Sequence, residues 1–370
     1  MATAPVYALP PKAFRDDRWF AAEQRWVFGA HWNFVAHASA LDAPGSFRVV
    51  QVGLDSLVLV RDQRGVLRAF HNLCRHRGAP LKEGSGRCAS LTCPYHRWSF
   101  GLDGRLRGVP QGEAFPDLDR EALGLFPAAV GEWHGLLFVH PDPEPAQTLE
   151  AALAGTAAVL EPFAPGALSL LHEERVPFAA NWKLYVENHV DWLHLWHLHE
   201  KTLGAFDHPR GQITQAGPHW MSFETRRSEA AAEGFGGVDE TLAPLPSLAG
   251  ADPALKGIGA HYLFPNLLLF SGERFFMTGA LVPQGPGETV LELALYGVPG
   301  GDPGATMAAF NAITKDEDIV MIEGLQRAMA GDRFCPGPLA QPWEAAIAHF
   351  HHHLLTALAP ASLSESIPHG

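Results

Sequence analysis

The chain has 370 residues, of which 47% are hydrophobic and 18% are charged, and its formal net charge at pH 7 is −13. This length and composition predict two globular domains with sizeable cores. The negative charge argues against a nucleic-acid partner, and the lack of any run of about 18 apolar residues argues against a membrane span.

The N-terminal segment, residues 1–30, is predicted to be helical. It lacks a basic region followed by an apolar core, so no signal peptide is predicted. Residues 13–28 place Phe14, Trp19 and Val27 among the apolar positions of an amphipathic helix.

A small antiparallel β domain is predicted over residues 31–142. Residues 46–60 alternate and are rich in valine and leucine, which indicates strands. Asp103-Gly104 is a two-residue hairpin signal between two short apolar segments. Strand-forming residues return at Leu136–His140.

The second half of the chain has a different pattern. A polar, proline-rich linker at 141–148 precedes a predicted domain over 149–370. Helices are predicted at 149–162, 181–199, 304–330 and 342–358, and strands at 261–270, 274–283 and 289–298. This order predicts an α+β domain with helices on one face of an antiparallel sheet. Residues 203–257 show little periodicity.

Four residues of the β domain form a metal-ligand pattern of C-x-H, sixteen residues, and C-x-x-H: Cys74, His76, Cys93 and His96. Two histidines and two cysteines suit a [2Fe–2S] cluster in which each pair holds one iron, a Rieske centre. A structural zinc site is the alternative, although zinc fingers usually group the cysteines apart from the histidines. The other two cysteines give no disulfide framework, so a reducing cytoplasm is expected.

A second metal site is possible at 181–200, where four histidines occur within NWKLYVENHVDWLHLWHLHE. His194 and His197 would share a helix face, but His194 and His199 converge only if the helix ends or distorts between them. Spacing alone therefore leaves packed core histidines as an alternative. An iron site of two histidines and one carboxylate could take its acid from Asp316, Glu317 or Asp318, whose alternative role is a solvated helix face.

The remaining histidine-rich and aromatic segments carry weaker signals. HFHHH at 349–353 is interpreted as part of an amphipathic helix, because no acid or cysteine partner lies nearby. An apolar, aromatic-lined pocket would suit a mainly apolar small molecule. Its candidate residues are Phe264, Asn266, Phe270, Phe275 and some of residues 203–257.

Two segments of the chain resemble the Rieske non-heme iron oxygenases, the α subunits of aromatic-ring hydroxylases and related demethylases. The run AFHNLCRHRGAPL…CPYHRWSFGLDGRL resembles their Rieske domain, with Arg97 where glycine is common. The second segment resembles their mononuclear iron motif, with Leu193 in place of the usual aromatic residue. It matches at Asn181, Trp182, Lys183, Glu187, Asn188, Asp191, His194 and His199.

The resemblance implies the ligands of the iron site and two further roles. His194 and His199 would be iron ligands, and TKDEDIVMIEGLQRA at 314–328 resembles the helix that supplies the third ligand, which is Asp318 here. His197 would then be structural or lie behind a ligand. Asn188 and Asp191 would act at the catalytic centre, with Asp191 bridging an iron ligand and His96 of the partner subunit.

The family also implies a fold, cofactors and partners. The region 149–370 would be a helix-grip catalytic domain of the START/Bet v 1 type with an antiparallel sheet. The cofactors would be a Rieske [2Fe–2S] cluster and a mononuclear Fe(II), with O2 as co-substrate. A separate reductase or ferredoxin would deliver electrons from NAD(P)H, and the assembly would be a homotrimer.

The function implied is that of a terminal oxygenase, which hydroxylates or oxidatively demethylates a small aromatic or apolar substrate. A cis-dihydroxylating dioxygenase and an oxidative cyclase of the same family are alternatives. From other classes, a Rieske electron carrier would leave more than half of the chain unexplained, and a zinc-stabilised binding protein would hold neither iron nor sulfide. Metal identity separates these classes.

Overall fold

The structure of the chain is a computed structural model, which describes residues 6–203, 206–207, 213, 215–227, 241–250 and 258–361. Two compact units are present, one formed by residues 27–152 and the other by residues 1–26 together with 153–370. None of the helices within these described ranges has both the length and the hydropathy that a bilayer crossing requires. The domain limits expected from the sequence, 1–30, 31–142 and 149–370, stay predictions.

The predicted N-terminal helix is present but divided. Helix α1 (Lys12–Arg15) ends at Asp16, whose extended backbone starts helix α2 (Asp17–Glu23). The Asp16 carboxylate accepts the Arg18 N–H at 2.7 Å, which caps α2. A π-helical turn, Gln24–Phe28, continues the segment.

Residues 27–152, all of them described, form a unit of short strands and tight turns. Its strands are β1 (Asn33–His37), β2 (Ser46–Val52), β3 (Asp55–Arg61), β4 (Leu67–His71), β5 (Ser85–Arg87), β6 (Leu91–Thr92), β7 (Ser99–Phe100), β8 (Leu106–Gly108), β9 (Pro127–Trp133) and β10 (Leu136–His140), followed by helix α3 (Leu149–Ala152). One antiparallel sheet has the order β1-β10-β9-β4-β3-β2-β5, and a small sheet has the order β6-β7-β8. The predicted hairpin is confirmed, because Phe100 pairs with Leu106 across Asp103-Gly104.

The other unit is an α+β unit, as predicted. After α4 (Ala157–Leu160), the described elements are β11 (Ser169–Phe178), α5 (Trp182–Val190), β12 (Phe206–Asp207), β13 (Gln215–Gly217), β14 (Trp220–Arg227), β15 (Ile258–Leu263), β16 (Leu267–Ser271), β17 (Phe276–Gly285), β18 (Glu288–Gly297), α6 (Pro303–Ile313), α7 (Val320–Met329) and α8 (Ala345–Leu358). Within the described ranges the antiparallel sheet has the order β11-β18-β17-β16-β15-β14-β12, and β13 also pairs with β14.

Several element boundaries differ from the predictions. The segment 261–270, predicted as one strand, is the hairpin of β15 and β16, because Pro265 lacks an N–H for a sheet ladder and occupies the turn. Strand β14 lies where the sequence shows little periodicity. The predicted helix at 149–162 is two short helices, and the one at 181–199 ends at Val190.

The helices pack their apolar side chains on the sheet. Met307 and Phe310 of α6 share a buried cluster with Met277 of β17 and Leu295 of β18. On α8, the Phe350 ring makes edge contacts with Trp182 of α5 and Tyr262 of β15. Helix α5 is therefore held between the sheet and α8.

A fully buried ion pair fixes the start of α5. The side chains of Lys183 and Glu23 are 0% exposed and form a salt bridge, and the Trp182 indole N–H donates to the other Glu23 oxygen at 2.8 Å. Burial raises the pKa of Glu23 and lowers that of Lys183, and each partner opposes the shift of the other. The buried charge of Glu23 is therefore stabilised by that of Lys183, and the reverse also holds.

We expect Lys183→Met to lower the free energy of unfolding by about 3–5 kcal/mol, because it leaves the Glu23 carboxyl buried without its cation. Urea unfolding of the purified protein measures this change. The double variant Glu23→Gln/Lys183→Met keeps an acceptor for Trp182 and should recover most of the loss. A double variant as unstable as the single one would contradict this account.

Candidate metal centres

The two cysteine–histidine segments form loops with the same backbone hydrogen bonds. One loop lies between β4 and β5, and the other joins β6 to β7. In each, the cysteine N–H donates to the carbonyl five residues later, and the N–H four residues later donates back to the cysteine carbonyl. These two distances are 2.8 and 2.8 Å in the loop of Cys74, and 2.8 and 3.2 Å in the loop of Cys93. The two loops therefore present their ligands from equivalent turns.

Both turns require a left-handed backbone at the residue whose N–H donates to the cysteine carbonyl. This residue is Gly78, with φ +74°, in the first loop and Arg97, with φ +61°, in the second. Glycine adopts this conformation without the steric cost that a Cβ imposes. The exposed Arg97 therefore carries backbone strain. The family that this segment resembles commonly has glycine at this position.

The four side chains of these loops are brought together as the sequence predicts. Cys74 and Cys93 are buried, at 2% and 1% exposure, and the rings of His76 and His96 are 4.7 Å apart between centroids. Burial raises the pKa of the Cys74 thiol, and the Cys93 thiol beside it raises it further. The His76 Nδ1 atom is buried without a hydrogen-bond partner. Two buried thiols beside two outer imidazoles fit the ligand set of a Rieske cluster.

Aromatic side chains hold the His76 imidazole in place. The Trp98 ring stacks on it, with centroids 4.9 Å apart and planes 10° from parallel, and the Phe115 ring contacts it edge-on at 5.9 Å. Burial and the neighbouring His96 lower the pKa of His76. The imidazole is therefore neutral and can serve as a metal ligand.

The second site depends on the end of helix α5. Asn181 starts the helix, and its side chain accepts the Lys183 N–H at 3.1 Å. At Asp191 the helix ends and the backbone becomes extended, and the Asp191 carboxylate accepts the Leu193 N–H at 2.7 Å. A 3₁₀ turn begins at His194. The chain thus satisfies the condition under which two histidines five residues apart can converge.

His194, His199 and Asp318 meet at one point, with ligand atoms all within 4.8 Å of one another. The Asp318 Oδ1 atom lies 3.0 Å from His199 Nε2 and 3.8 Å from His194 Nε2. Two atoms bound to one ion at bond lengths of about 2.1 Å lie at most about 4.2 Å apart, and both separations from Asp318 are within this limit. The residue types are those of a two-histidine, one-carboxylate iron site.

Glu317 determines which nitrogen of His199 faces this point. Its carboxylate accepts the His199 Nδ1–H at 2.7 Å and the Thr202 hydroxyl at 2.7 Å. With a cation bound between them, a neutral His199 would direct its Nε2 lone pair at the cation, and Asp318 would approach it from the other side. Although burial lowers the pKa of His199, the carboxylates of Asp318 and Glu317 raise it overall.

A π-helical segment, Thr314–Ile319, lets two adjacent acids contact the same imidazole. Consecutive residues of an α-helix point about 100° apart, and the wider π turn reduces this angle. Glu317 and Asp318 therefore contact opposite nitrogens of His199. By their chemistry alone these acids were alternatives for one role, and Thr202 has no signal in the sequence.

A cavity opens beside the three ligands. Its lining includes Asn188 and Asp191, and the Asp191 Oδ2 atom lies 3.3 Å from His194 Nδ1. The other lining residues are Tyr185, His189, Trp192, Leu195, Leu203, Ile258, Ala260, Phe270, Phe310, Ile313 and Thr314. Of the pocket candidates, Phe270 and Leu203 line this cavity, whereas Phe264, Asn266 and Phe275 do not. Most of 204–257 lies outside the described residues, and His197 is exposed and outside the ligand group.

His189 also lines the cavity, although the sequence does not predict a role for it. Its Nε2–H donates to the His261 carbonyl at 3.0 Å, so that Nδ1 is left as an acceptor. Burial lowers its pKa to about 4, so this imidazole is neutral at physiological pH.

Comparison with known proteins agrees with this geometry. Residues 31–120 match the Rieske [2Fe-2S] domain, and residues 165–359 match the catalytic domain of the ring hydroxylating alpha subunit. The chain is 30% identical to the glycine betaine monooxygenase oxygenase subunit of Chromohalobacter salexigens, over 93% of this chain and 84% of that protein. It is 26% identical to the chloroplastic choline monooxygenase of Spinacia oleracea, over 94% and 77%.

The fold is also that of a solved structure. A quaternary ammonium Rieske monooxygenase, described for carnitine oxidation and inter-subunit electron transfer, superposes with a TM-score of 0.79 at 24% identity over 95% of both chains. The two matching domain families define an iron-dependent oxygenase. The chain belongs to the Rieske non-heme iron oxygenases, as an oxygenase α subunit. It is an oxidoreductase with a Rieske cluster and a mononuclear iron.

We expect Arg97→Gly to stabilise the cluster loop by about 0.5–1 kcal/mol, because glycine relieves the left-handed strain. The urea concentration at which the visible absorbance of the cluster is lost should rise. Arg97→Val should lower it, because a β-branched residue is disfavoured at positive φ. An order of stability other than glycine, arginine, valine would show that strain does not govern this loop.

We expect Glu317→Gln to weaken iron binding by roughly 10- to 100-fold, because it weakens the bond that fixes the His199 tautomer. Competition with an iron chelator, followed by iron counting, measures the change. The exposed neighbour Asp316 provides the control, since Asp316→Asn should leave iron affinity unchanged. Equal affinities for the two variants would contradict the orienting role of Glu317.

Proposed function

We propose that this chain is the terminal oxygenase of a monooxygenase system that demethylates a small N-methylated ammonium compound by hydroxylation. The observation that carries this proposal is the composition of the cavity. Aromatic rings of Tyr185, Trp192, Phe270 and Phe310 line it together with the Asp191 carboxylate, and none of its described lining residues is lysine or arginine. Aromatic faces and carboxylates attract organic cations. Relatives named for glycine betaine and choline support this substrate class.

A second candidate is cis-dihydroxylation of an apolar aromatic substrate. The apolar side chains of Leu203, Ile258 and Ile313 in the same cavity favour it. The two reactions differ in products, since demethylation of the ammonium compound releases formaldehyde and dihydroxylation adds two oxygen atoms to the substrate.

The site residues have distinct proposed roles. Cys74, His76, Cys93 and His96 hold the cluster, and His194, His199 and Asp318 hold the iron. When bound, the cluster supplies single electrons and the iron supplies a position for O2. Glu317 keeps His199 in the tautomer that binds metal. Asn188 and Asp191 act at the catalytic centre, and the neutral His189 ring provides a hydrogen-bond acceptor on the cavity wall.

The proposed assembly is a homotrimer that receives electrons from a separate reductase or ferredoxin. Asp191 would connect His194 on its own chain with His96 of the partner subunit, so that electrons cross a subunit boundary. The inter-subunit electron transfer described for the structurally similar monooxygenase supports this arrangement. We further propose independent domains at 31–142 and 149–370 after an N-terminal segment at 1–30. We also propose a cytoplasmic location, because the four cysteines form no disulfide.

The first experiment is to count iron and acid-labile sulfide in anaerobically purified protein, followed by single turnover. About three irons to two sulfides are expected from the two ligand sets. The reduced protein is then mixed with O2 and with choline, glycine betaine, carnitine or an apolar aromatic compound. Formaldehyde from an ammonium substrate supports the proposal, whereas oxygenation of the aromatic compound alone would replace it with the second candidate.

We expect Asp191→Ala to retain the iron and sulfide content of the unaltered protein but to abolish turnover. The reason is that Asp191 contacts a ligand, His194, without belonging to the ligand group. Metal counting and product formation with the preferred substrate measure the two properties. Normal product formation by the variant would overturn the proposed electron path.

A further inference from the structure

The histidines of HFHHH are distributed over different faces of helix α8. His351 is buried, and its Nε2 bonds to the Glu187 carboxylate of α5 at 2.8 Å. His352 is exposed. His349 and His353 are partly exposed and lie one turn apart, a spacing at which helix side chains meet. The inner histidine thus serves packing, whereas His349 and His353 contact each other, and the His353 ring also lies against the rings of His219 and Phe264.

The rings of His349 and His353 point at each other. Their centroids are 4.4 Å apart with planes 80° from parallel, and the two Nε2 atoms are 2.9 Å apart. Two protonated Nε2 atoms could not approach so closely, so at most one carries hydrogen and the other directs a lone pair toward it. The pair therefore concentrates imidazole nitrogen donors at a single point.

This separation is that of two ligands of one metal ion. Imidazole nitrogens bind such ions at about 2.0–2.1 Å, which places two neighbouring ligands about 2.9–3.4 Å apart for bond angles between square and tetrahedral. The nitrogens can keep this separation on chelating an ion, while the rings turn so that both lone pairs point at the ion. Burial and the neighbouring His352 also lower the pKa of His349, which keeps its ring neutral.

We propose that His349 and His353 form a binding site for a divalent transition-metal ion, separate from the iron and cluster sites. Imidazole ligands select zinc, nickel, cobalt or copper ions over magnesium and calcium, which prefer oxygen. Among the described residues no His, Cys, Asp or Glu adds a third donor atom within 4.8 Å of both nitrogens, and we expect water to complete the coordination. The ion links two successive turns of α8.

The experiment is isothermal titration of tag-free, cluster- and iron-loaded protein with Ni²⁺ in a non-chelating buffer. We expect one additional ion per chain, with the iron count unchanged. His349→Ala and His353→Ala should each weaken binding by at least roughly tenfold, because chelation by two linked ligands is lost. His352→Ala, on the same helix, should bind like the unaltered protein.

Three results would overturn the proposal. In the first, the titration detects no additional Ni²⁺ ion. In the second, both single-alanine variants bind Ni²⁺ as tightly as the unaltered protein. In the third, Ni²⁺ binds only as iron is released. Because both side chains are partly exposed, the variants should fold normally, and circular dichroism checks this. His353→Gln, which keeps a polar side chain, gives a second test of the same ligand and should also weaken Ni²⁺ binding.

Discussion

The iron site depends on where helix α5 ends. If the helix continued past Val190, His194 and His199 would point in different directions, and no single ion could bind both. The extended backbone at Asp191, held by its own carboxylate on the Leu193 N–H, turns the chain back. Asp318 then approaches from a distant segment, where the π-helical geometry brings its carboxylate and that of Glu317 to opposite sides of one imidazole.

A polar network anchors the other end of the same helix. Asn181 caps α5 and donates to the Pro286 carbonyl at 2.7 Å, and its N–H donates to the Gln326 side chain at 3.0 Å. Lys183 is neutralised by Glu23 inside the protein. Since an unpaired buried charge costs several kcal/mol, these contacts specify one position for α5. The segment after α5, which carries His194 and His199, therefore begins at a firmly held helix, and metal sites require such rigid support.

The cluster loops are built on a different principle. Both loops contain the same hydrogen-bonded turn. In each loop this turn needs a residue of positive φ at the equivalent position. Gly78 meets this need at no steric cost, whereas Arg97 does not. The departure from the family pattern at Arg97 thus has a conformational meaning. It changes the strain of the loop and leaves the four ligands in place.

The sequence by itself determined the class of the protein and its α+β character, and it predicted the cluster ligands. Cys74, His76, Cys93 and His96 lie in two short segments, and local spacing carries their chemistry. The iron ligands needed more, because Asp318 is over a hundred residues from His199, and Asp316, Glu317 and Asp318 are chemically equivalent in a linear sequence. The family resemblance selected Asp318, and the tertiary structure places it beside His194 and His199 and places Glu317 on the other side of the His199 imidazole. Only the tertiary structure shows the contacts of Thr202 and His189 and the pairing of His349 with His353, since the direction of a side chain follows from packing between distant segments.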